Sequence, residues 1–237
     1  MTALIETKNL HKEFVLDGGG RLEAISDASI AINDKEFVCL LGPSGCGKST
    51  WLRIVAGLES ATAGEVLYKG APVTGPGKER GMVFQEYSLL PWRTVADNVS
   101  LGPEFAGMDA KSRRDIAMDY LARVGLEKFA DAKPHELSGG MRQRAAIARA
   151  LANNPEVLLM DEPFGALDAH TRVLLQRELL RIWEQDRKTV VFVTHSVDEA
   201  LYLADRIVVM TAHPGRVLEE IDVPFERPRS RATKGYG

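Results

Sequence analysis

The sequence has few cysteines, no long apolar run and little imbalance of charge. Among 237 residues the only cysteines are Cys39 and Cys46, which excludes a disulfide framework. No apolar run approaches the roughly 20 residues that a membrane-spanning helix needs, and the longest have the length of a strand. The formal net charge is −3, so nothing in the overall charge attracts nucleic acid. With no internal repeat or low-complexity segment either, we expect a reduced cytosolic protein without a nucleic-acid partner.

The two ends of the chain carry charged residues. The first ten residues, MTALIETKNL, place Glu6 and Lys8 where a signal peptide needs its apolar stretch. The tail from Arg227 to Lys234 contains four basic and no acidic residues. We expect this tail to be a solvated, poorly ordered terminus.

The remaining composition is typical of a globular protein, with 45% hydrophobic and 27% charged residues. Short β-rich runs separated by turn residues predict antiparallel strands near the N-terminus, at 4–8, 22–32 and 65–69. Further strands are predicted at 36–41, 82–84, 156–161, 189–194 and 206–210, and helices at 48–57, 94–100, 110–124, 139–152, 168–185 and 196–204. Strands that alternate with helices predict an α/β fold with a parallel-sheet core. We expect one domain over 1–237, with an N-terminal antiparallel β subdomain and an inserted α-helical subdomain at about 87–152.

Residues 42–50, GPSGCGKST, match the phosphate-loop pattern G-x-x-x-x-G-K-[ST] between a predicted strand and a predicted helix. The loop that we expect to bind nucleotide phosphates consists of Gly42, Pro43, Ser44, Gly45, Cys46, Gly47, Lys48, Ser49 and Thr50. Lys48 would direct its charge to the β- and γ-phosphates, and the Ser49 hydroxyl would bind Mg²⁺. A chance glycine-rich turn is the alternative, and kinases, GTPases and motor ATPases share the motif.

Cys46 is the one residue of this loop with a reactive side chain. A thiol near a helix N-terminus and Lys48 lies in an electropositive setting, so we expect Cys46 to be accessible and reactive. In the alternative interpretation Cys46 faces the interior and only its backbone matters. Cys39 lies in an apolar strand and should be buried and inert.

Polar side chains follow three of the predicted strands. Strand 157–160 ends in Asp161 and Glu162, strand 189–194 is followed by His195, and strand 82–84 is followed by Gln85. Ligands of open parallel sheets bind at the carboxyl ends of the strands. We therefore predict that Asp161 binds the metal and that Glu162 is the general base for an attacking water. An acidic turn without a function is the alternative for the carboxylates, and Gln85 would face metal or water.

A second anion site is predicted at residues 137–141, LSGGM, which we call the signature segment. It precedes an amphipathic helix, whose first turn has free N–H groups and positive partial charge. The expected donors to a phosphate are Ser138, Gly139, Gly140 and Met141. The alternative is a helix cap, which would need neither glycine.

Together with GALD at 165–168 and His195, these motifs resemble the ATP-binding cassette (ABC) family over nearly the whole chain, in order and in spacing. The resemblance implies the fold of the P-loop NTPases, ATP and Mg²⁺ as ligands, and hydrolysis of ATP coupled to transmembrane transport. It implies that two copies pair head to tail, with the signature segment of one closing on the nucleotide held by the other. Glu162, His195, Gln85 and Lys48 would serve catalysis, and Ser49, Gln85 and Asp161 the metal.

Two positions qualify the resemblance. Met141 stands where the family usually has glutamine, but the expected contacts use the backbone and the Ser138 hydroxyl. Phe14 resembles the family's aromatic residue that stacks on adenine, and a core aromatic is the alternative there.

Within the family, the segment 86–99, EYSLLPWRTVADNV, and TAHPGR at 211–216 resemble the importers of nitrate, sulfonate and taurine. The apolar knot at 89–92 is interpreted as a groove for a permease helix, or else as subdomain core. The resemblance implies a peripheral subunit on the cytoplasmic face of the inner membrane, without a C-terminal regulatory domain. Its partners would be membrane permease subunits and, indirectly, a solute-binding protein. The alternatives are the ATPase of another ABC transporter, or a soluble ABC ATPase that acts on nucleic acid or the ribosome.

Overall fold

The computed structural model describes residues 3–229 and divides the chain into two compact units. The first unit consists of Met1–Gly77 and Thr189–Gly237, and the second of Lys78–Lys188. Among the described residues, no helix has both the length and the apolar character to cross a membrane.

The described residues form strands near both ends of the chain and a run of helices between the strands Arg80–Val83 and Val157–Asp161. The strands are β1 (Ile5–Val15), β2 (Arg21–Ile32), β3 (Phe37–Leu41), β4 (Ala63–Tyr68), β5 (Ala71–Pro72), β6 (Arg80–Val83), β7 (Val157–Asp161), β8 (Thr189–Thr194), β9 (Arg206–Met210) and β10 (Val217–Asp222). The helices are α1 (Lys48–Ala56), α2 (Val95–Val99), α3 (Leu101–Phe105), α4 (Ala110–Arg123), α5 (Gly139–Ala152), α6 (Ala169–Asp186) and α7 (Val197–Leu203).

The first unit contains an antiparallel sheet in the order β2-β1-β4-β5. Apolar residues of β2 alternate with polar ones, and Ile25, Ala28, Ile30 and Ile32 are buried. This alternation buries one face of the sheet and leaves the other polar. β1 continues to Val15, well beyond the predicted strand at 4–8, because β2 pairs with it as far as Arg21.

In the first unit, parallel pairing brings the ends of three strands to one edge of a sheet. β3 pairs in parallel with both β8 and β9, and the residues of β3 and β8 are almost completely buried. Leu41 at the end of β3 lies opposite Thr194 of β8 and Val209 of β9, so the three strands end at one edge. β10 pairs antiparallel with β9 and was not predicted, because its exposed residues show no apolar face.

The second unit consists of two parallel strands, five α-helices and two 3-10 helices, Glu127–Phe129 and Pro134–Glu136. β6 pairs with β7, with Val83 opposite Met160. The predicted helices at 94–100, 110–124 and 139–152 are present as α2, α4 and α5, and α3 lies between the first two. α5 packs against α2, α3, α4 and α6, and its residues from Ala145 to Ala148 are buried. The part of the chain predicted to be a helical insertion is therefore helical and organised around α5.

The expectation of a poorly ordered basic tail is wrong for its first residues. Arg229 is 8% exposed and donates hydrogen bonds to the carbonyl oxygens of Leu201 (2.8 Å) and Ala204 (2.6 Å). Arg227 donates to Asp205 and to the carbonyl of Leu203. The last carbonyls of a helix have no partner within the helix, so the two guanidinium groups satisfy the end of α7. Residues 230–234 lie outside the described residues.

Candidate nucleotide-binding and hydrolysis site

The phosphate loop connects β3 to α1 and has no room for side chains at two of its glycines. Gly47 is left-handed, with φ 85°, and a Cβ atom there would lie 2.6 Å from the carbonyl oxygen of Ala24. A Cβ atom at Gly42 would lie 2.6 Å from the carbonyl oxygen of Met210. Because the backbone is packed this closely on both sides, only glycine fits. Glycine loops of this kind can form an anion-binding cradle of backbone N–H groups.

The segment TAHPGR at 211–216 supports this loop. A Cβ atom at Gly215 would lie 2.1 Å from the carbonyl oxygen of Cys46, and the Gly215 carbonyl accepts a hydrogen bond from the N–H of Ser26 (2.8 Å). The ring of His213 lies beside Gly45, 3.6 Å from where a Cβ atom would stand. The sequence marked this segment only as typical of a group of importers. Its glycine was the one signal of a close backbone approach.

Lys48 lies at the start of α1 and is 4% exposed. Its ammonium donates hydrogen bonds to the carbonyl oxygens of Gly42 and Pro43, each at 2.8 Å. A cation is thus held within the loop, next to the positive end of a helix. Ser49 and Thr50 follow it in the first turn and are half-buried. This arrangement suits a polyanion such as a nucleotide phosphate chain.

The predicted accessibility of Cys46 is wrong. Its side chain is fully buried, with the sulfur 3.6 Å from the Lys48 ammonium and 2.8 Å from where a Cβ atom of Gly42 would stand. The alternative, that Cys46 faces the interior, is correct. Cys39 is buried as predicted, and its burial raises the pKa of the thiol well above the ordinary value.

His195 is exposed and follows β8 directly. Since β8 and β3 run parallel and end together, His195 leaves the sheet at the same edge as the phosphate loop. Ser196 caps α7, its hydroxyl oxygen accepting a hydrogen bond from the N–H of Glu199 (3.4 Å). The predicted N-terminus of this helix is confirmed.

In the second unit, the two carboxylates end β7. Asp161 is buried and is the last residue of the strand, and Glu162 is half-buried with a left-handed φ of 41°. The Glu162 carbonyl accepts a hydrogen bond from the N–H of Gly165 (3.0 Å), which closes a turn directly after the strand. A left-handed glutamate costs about 1–3 kcal/mol, so the surrounding turn must hold it.

Gln85 shares the sheet edge of these carboxylates. Because Val83 lies opposite Met160, both Gln85 and Glu162 stand two residues beyond a paired position on neighbouring parallel strands. The Gln85 side chain is exposed. Oxygen ligands from one edge of a sheet fit a hard cation such as Mg²⁺.

GALD at 165–168 ends in the cap of α6. The Asp168 carboxylate accepts a hydrogen bond from the N–H of Thr171 (2.9 Å). Hydrogen bonds from the Thr171 side chain and backbone lower the pKa of Asp168.

The signature segment begins α5. The Ser138 hydroxyl oxygen accepts a hydrogen bond from the N–H of Met141 (3.3 Å), so the helix-cap interpretation is correct for its local role. This bond uses a lone pair and leaves the hydroxyl proton to donate. A Cβ atom at Gly140 would lie 2.7 Å from the Thr171 methyl group, and one at Gly139 would lie 3.2 Å from the Tyr87 hydroxyl. The glycines therefore allow close packing, which capping alone does not require.

Two predicted contact residues lie on the surface of their units. Phe14 is half-buried on β1, outside the buried core, with the Lys12 ammonium 4.7 Å from its ring centre. Trp92 of the apolar knot is 70% exposed. The chain before it is held in place, because the N–H of Leu90 donates to Asn98 (2.7 Å), whose amide donates back to the Leu90 carbonyl (3.1 Å). The chain therefore presents an exposed indole on a fixed segment, and tryptophan is a residue type enriched at protein interfaces.

Residues 25–165 match the model of a protein family described as ABC transporter. A nitrate import ATP-binding protein of Synechococcus elongatus is 48% identical over 215 residues, which cover 90% of this chain and 78% of that protein. A taurine import ATP-binding protein of Rhizobium johnstonii is 50% identical over 209 residues, covering 88% and 80%. An uncharacterized ABC transporter ATP-binding protein of Methanocaldococcus jannaschii is 54% identical over 233 residues, covering 98% and 87%.

Solved structures give the same result. A dimeric ATP-binding cassette in a post-hydrolysis state bound to ADP and Pi superposes with a TM-score of 0.83 and 36% identity, over 94% of this chain and 100% of that one. This likeness confirms the predicted α/β fold of the P-loop NTPases. The matched family model and the extent of these identities show that the chain belongs to the ABC transporter family, as one of its ATP-binding ATPases.

Proposed function

We propose that the chain is the ATP-hydrolysing subunit of an importer, which couples ATP binding and hydrolysis to solute uptake through separate membrane permease subunits. It works as a peripheral protein on the cytoplasmic face of the inner membrane, and a solute-binding protein delivers the solute. The solute is an anion of the nitrate, sulfonate or taurine type. The observation that carries this proposal is the 48–50% identity to ATP-binding proteins named for nitrate and taurine import.

The phosphate loop binds the β- and γ-phosphates of ATP, and the cradle of glycines and the enclosed Lys48 ammonium support this assignment. The adenine stacks on Phe14, on the ring face opposite the Lys12 ammonium. Ser49, Gln85 and Asp161 supply oxygen ligands of the kind that Mg²⁺ prefers. When bound, Mg²⁺ neutralises charge on the phosphate oxygens and fixes their orientation.

Hydrolysis needs a base and a positioned water. Glu162 accepts the proton of the attacking water, and its left-handed backbone, held by the turn to Gly165, supports a fixed carboxylate. His195 and Gln85 orient the water and the γ-phosphate. Each of the two side chains is exposed at the carboxyl end of a parallel strand, where ligands of such sheets bind.

The chain functions as a head-to-tail homodimer. Ser138 and the N–H groups of Gly139, Gly140 and Met141 bind the γ-phosphate of the ATP held by the second copy. ATP therefore stabilises the closed dimer, and hydrolysis lets it reopen, which gives the permease two states to follow. The dimeric cassette among the similar structures supports this arrangement.

The dimer is tested with Glu162→Gln, which keeps the size of the side chain but removes the base. We expect normal ATP binding, hydrolysis slowed about 10²–10⁴-fold, and an ATP-bound dimer in size-exclusion chromatography. The exposed Glu184, changed to Gln, is the matched control and should hydrolyse ATP normally. If the Glu162→Gln protein stays monomeric with ATP and Mg²⁺, the proposed head-to-tail dimer is wrong.

The composite site is tested by mixing two inactive variants. Ser138→Arg places bulk at the phosphate of the second copy, and Lys48→Ala removes phosphate affinity. Mixed dimers should recover at most one intact site, so activity returns to no more than about half that of the wild-type protein. Full activity of Ser138→Arg alone would show that the signature segment is only a helix cap.

The importer assignment is tested with membranes that contain a candidate permease subunit. Trp92→Ser should weaken binding to membranes that contain the permease, because the exposed indole is lost from the docking surface. Leu218→Ser on β10 removes an equally exposed apolar side chain and is the control. Equal binding of both variants and of the unmodified chain would argue against docking at Trp92. Binding to ribosomes or nucleic acid in place of the permease would favour a soluble ABC ATPase.

A further inference from the structure

Tyr87 lies two residues after Gln85, within the segment 86–99, and none of the roles described above was assigned to it. Its side chain is half-buried, and its hydroxyl stands 3.2 Å from where a Cβ atom of Gly139 would lie. Over the described residues 3–229 this hydroxyl makes no hydrogen bond to another group. A tyrosine hydroxyl can donate and accept, and a half-buried one usually has a partner. Here it lies against Gly139 of the signature segment, on a side chain that is partly open to solvent.

Arg142 connects the tyrosine ring to the same turn. Its guanidinium lies 5.3 Å from the centre of the Tyr87 ring, and its Nη1 donates a 2.6 Å hydrogen bond to the carbonyl of Leu137. Leu137 directly precedes Ser138, so one cation contacts both the aromatic ring and the turn that begins α5. A cation, a helix N-terminus and two hydroxyls, those of Ser138 and Tyr87, therefore lie at the turn that begins α5.

The backbone of Tyr87 is fixed from the other end of α5. Arg149 donates hydrogen bonds to the carbonyl oxygens of Ser88 (2.6 Å) and Tyr87 (3.1 Å). Ser88 is left-handed, with φ 49°, and its hydroxyl donates to the carbonyl of Glu86 (3.0 Å). Burial lowers the pKa of Arg149. The segment that follows Gln85 is thus bound to the signature helix at two points, which holds the Tyr87 hydroxyl in a defined position.

We propose that the Tyr87 hydroxyl is a further nucleotide-binding group of the signature site, donating a hydrogen bond to a phosphate oxygen of the ATP held by the second copy. This inference rests on the head-to-tail pairing of the proposed function. It adds a side-chain donor where the Ser138 hydroxyl oxygen already serves the helix cap. Because Tyr87 and Gln85 stand on one short segment, the contact also joins that segment to the nucleotide of the opposite copy.

The test removes only the hydroxyl, by Tyr87→Phe in a Glu162→Gln background. With ATP and Mg²⁺, we expect the protein concentration at half-dimerisation to rise about 100-fold or more, since each dimer loses two hydrogen bonds to charged phosphate. Binding of a fluorescent ATP analogue to the dilute monomer should not change, because the phosphate loop is untouched. If Tyr87 serves only folding, Tyr87→Phe should lower the melting temperature. It should then not weaken dimerisation while leaving nucleotide binding to the monomer unchanged.

Tyr120→Phe is the matched control, since it removes the hydroxyl of a half-buried tyrosine on α4 of the same unit. It should dimerise like the parent. Equal dimerisation of the Tyr87→Phe and parent proteins would overturn the inference and leave the proposed dimer intact. Failure of the Glu162→Gln parent to dimerise would instead overturn the pairing itself, and the role of Tyr87 with it.

Discussion

The hydroxyl of Thr194 donates a short hydrogen bond to the carboxylate of Glu199, and both side chains are buried. The Thr194 hydroxyl oxygen also accepts a hydrogen bond from the N–H of Ser196 (3.0 Å). His195 lies between these residues in the chain. The exposed imidazole therefore projects from a backbone that hydrogen bonds of Thr194 hold in place.

Replacing Thr194 with Val should remove these hydrogen bonds while keeping the shape of the side chain. A buried carboxylate that loses a donor costs about 1–3 kcal/mol, so urea denaturation should show that loss of stability. If His195 positions the water, the turnover number should fall about tenfold or more with the dissociation constant for ATP unchanged. Thr194→Ser retains the hydroxyl and should keep most of the activity. Equal turnover of the Val and Ser variants would show that the hydrogen bonds of Thr194 do not affect catalysis.

Lys48→Ala and His195→Ala should fail at different steps. Loss of the Lys48 ammonium removes the charge inside the phosphate loop, so affinity for ATP should fall about tenfold or more. His195→Ala should bind ATP within about threefold of normal and lose about 10²-fold in turnover, the scale of a positioned proton-transfer or orienting group. Isothermal titration and steady-state hydrolysis distinguish the two. Equal loss of ATP binding in both variants would show that the roles are misassigned.

Neither cysteine of the native protein should react with a maleimide during brief labelling. Cys46 is enclosed by the phosphate loop, and the raised pKa of Cys39 keeps its thiol protonated even above about pH 8.5, where an ordinary thiol ionises. Mass spectrometry after labelling in buffer and in guanidinium chloride gives the comparison, and both residues should react only when unfolded. Rapid native modification of Cys46 with protection by ATP would contradict its burial.

Arg229→Ala should destabilise the protein although the residue is near the end of the described chain. Its guanidinium satisfies carbonyl oxygens at the end of α7, and leaving them without a donor should cost about 2–4 kcal/mol. Urea denaturation measures the change. Arg177→Ala removes an exposed arginine of α6 and should stay within about 0.5 kcal/mol of the unmodified chain. An equally small effect at Arg229 would mean that water replaces the guanidinium at these carbonyls.

The local motifs could be predicted from the sequence, because each requires only neighbouring residues to act together. The phosphate loop needs a strand, glycines and a helix in succession, and Asp161 and Glu162 need only the apolar strand before them. These elements are present with bounds close to those expected. The start of α7 directly after Ser196 agrees with the helix predicted at 196–204 for the same reason.

The features that were missed depend on contacts between distant parts of the chain. The burial of Cys46 follows from packing against Gly42 and Gly215, and the motif that contains it says nothing of residue 215. Tyr87 gains a role only from its place beside Gly139, and Arg229 from its place beside the end of α7. β10 has almost no buried residue and therefore no periodic signal. Pairing with β9 rather than its own composition makes it a strand.

The support of residues 42–47 by Met210 and Gly215 also sets an order of events during synthesis. The ribosome completes the phosphate loop well before it makes the strand and turn that pack against it, about 170 residues later. Contacts so far apart in sequence form late, because a long chain must first be brought together. A nascent chain that ends before residue 210 should therefore lack a rigid nucleotide site. Tight binding of ATP should then mark a subunit whose C-terminal strands have already packed against the phosphate loop.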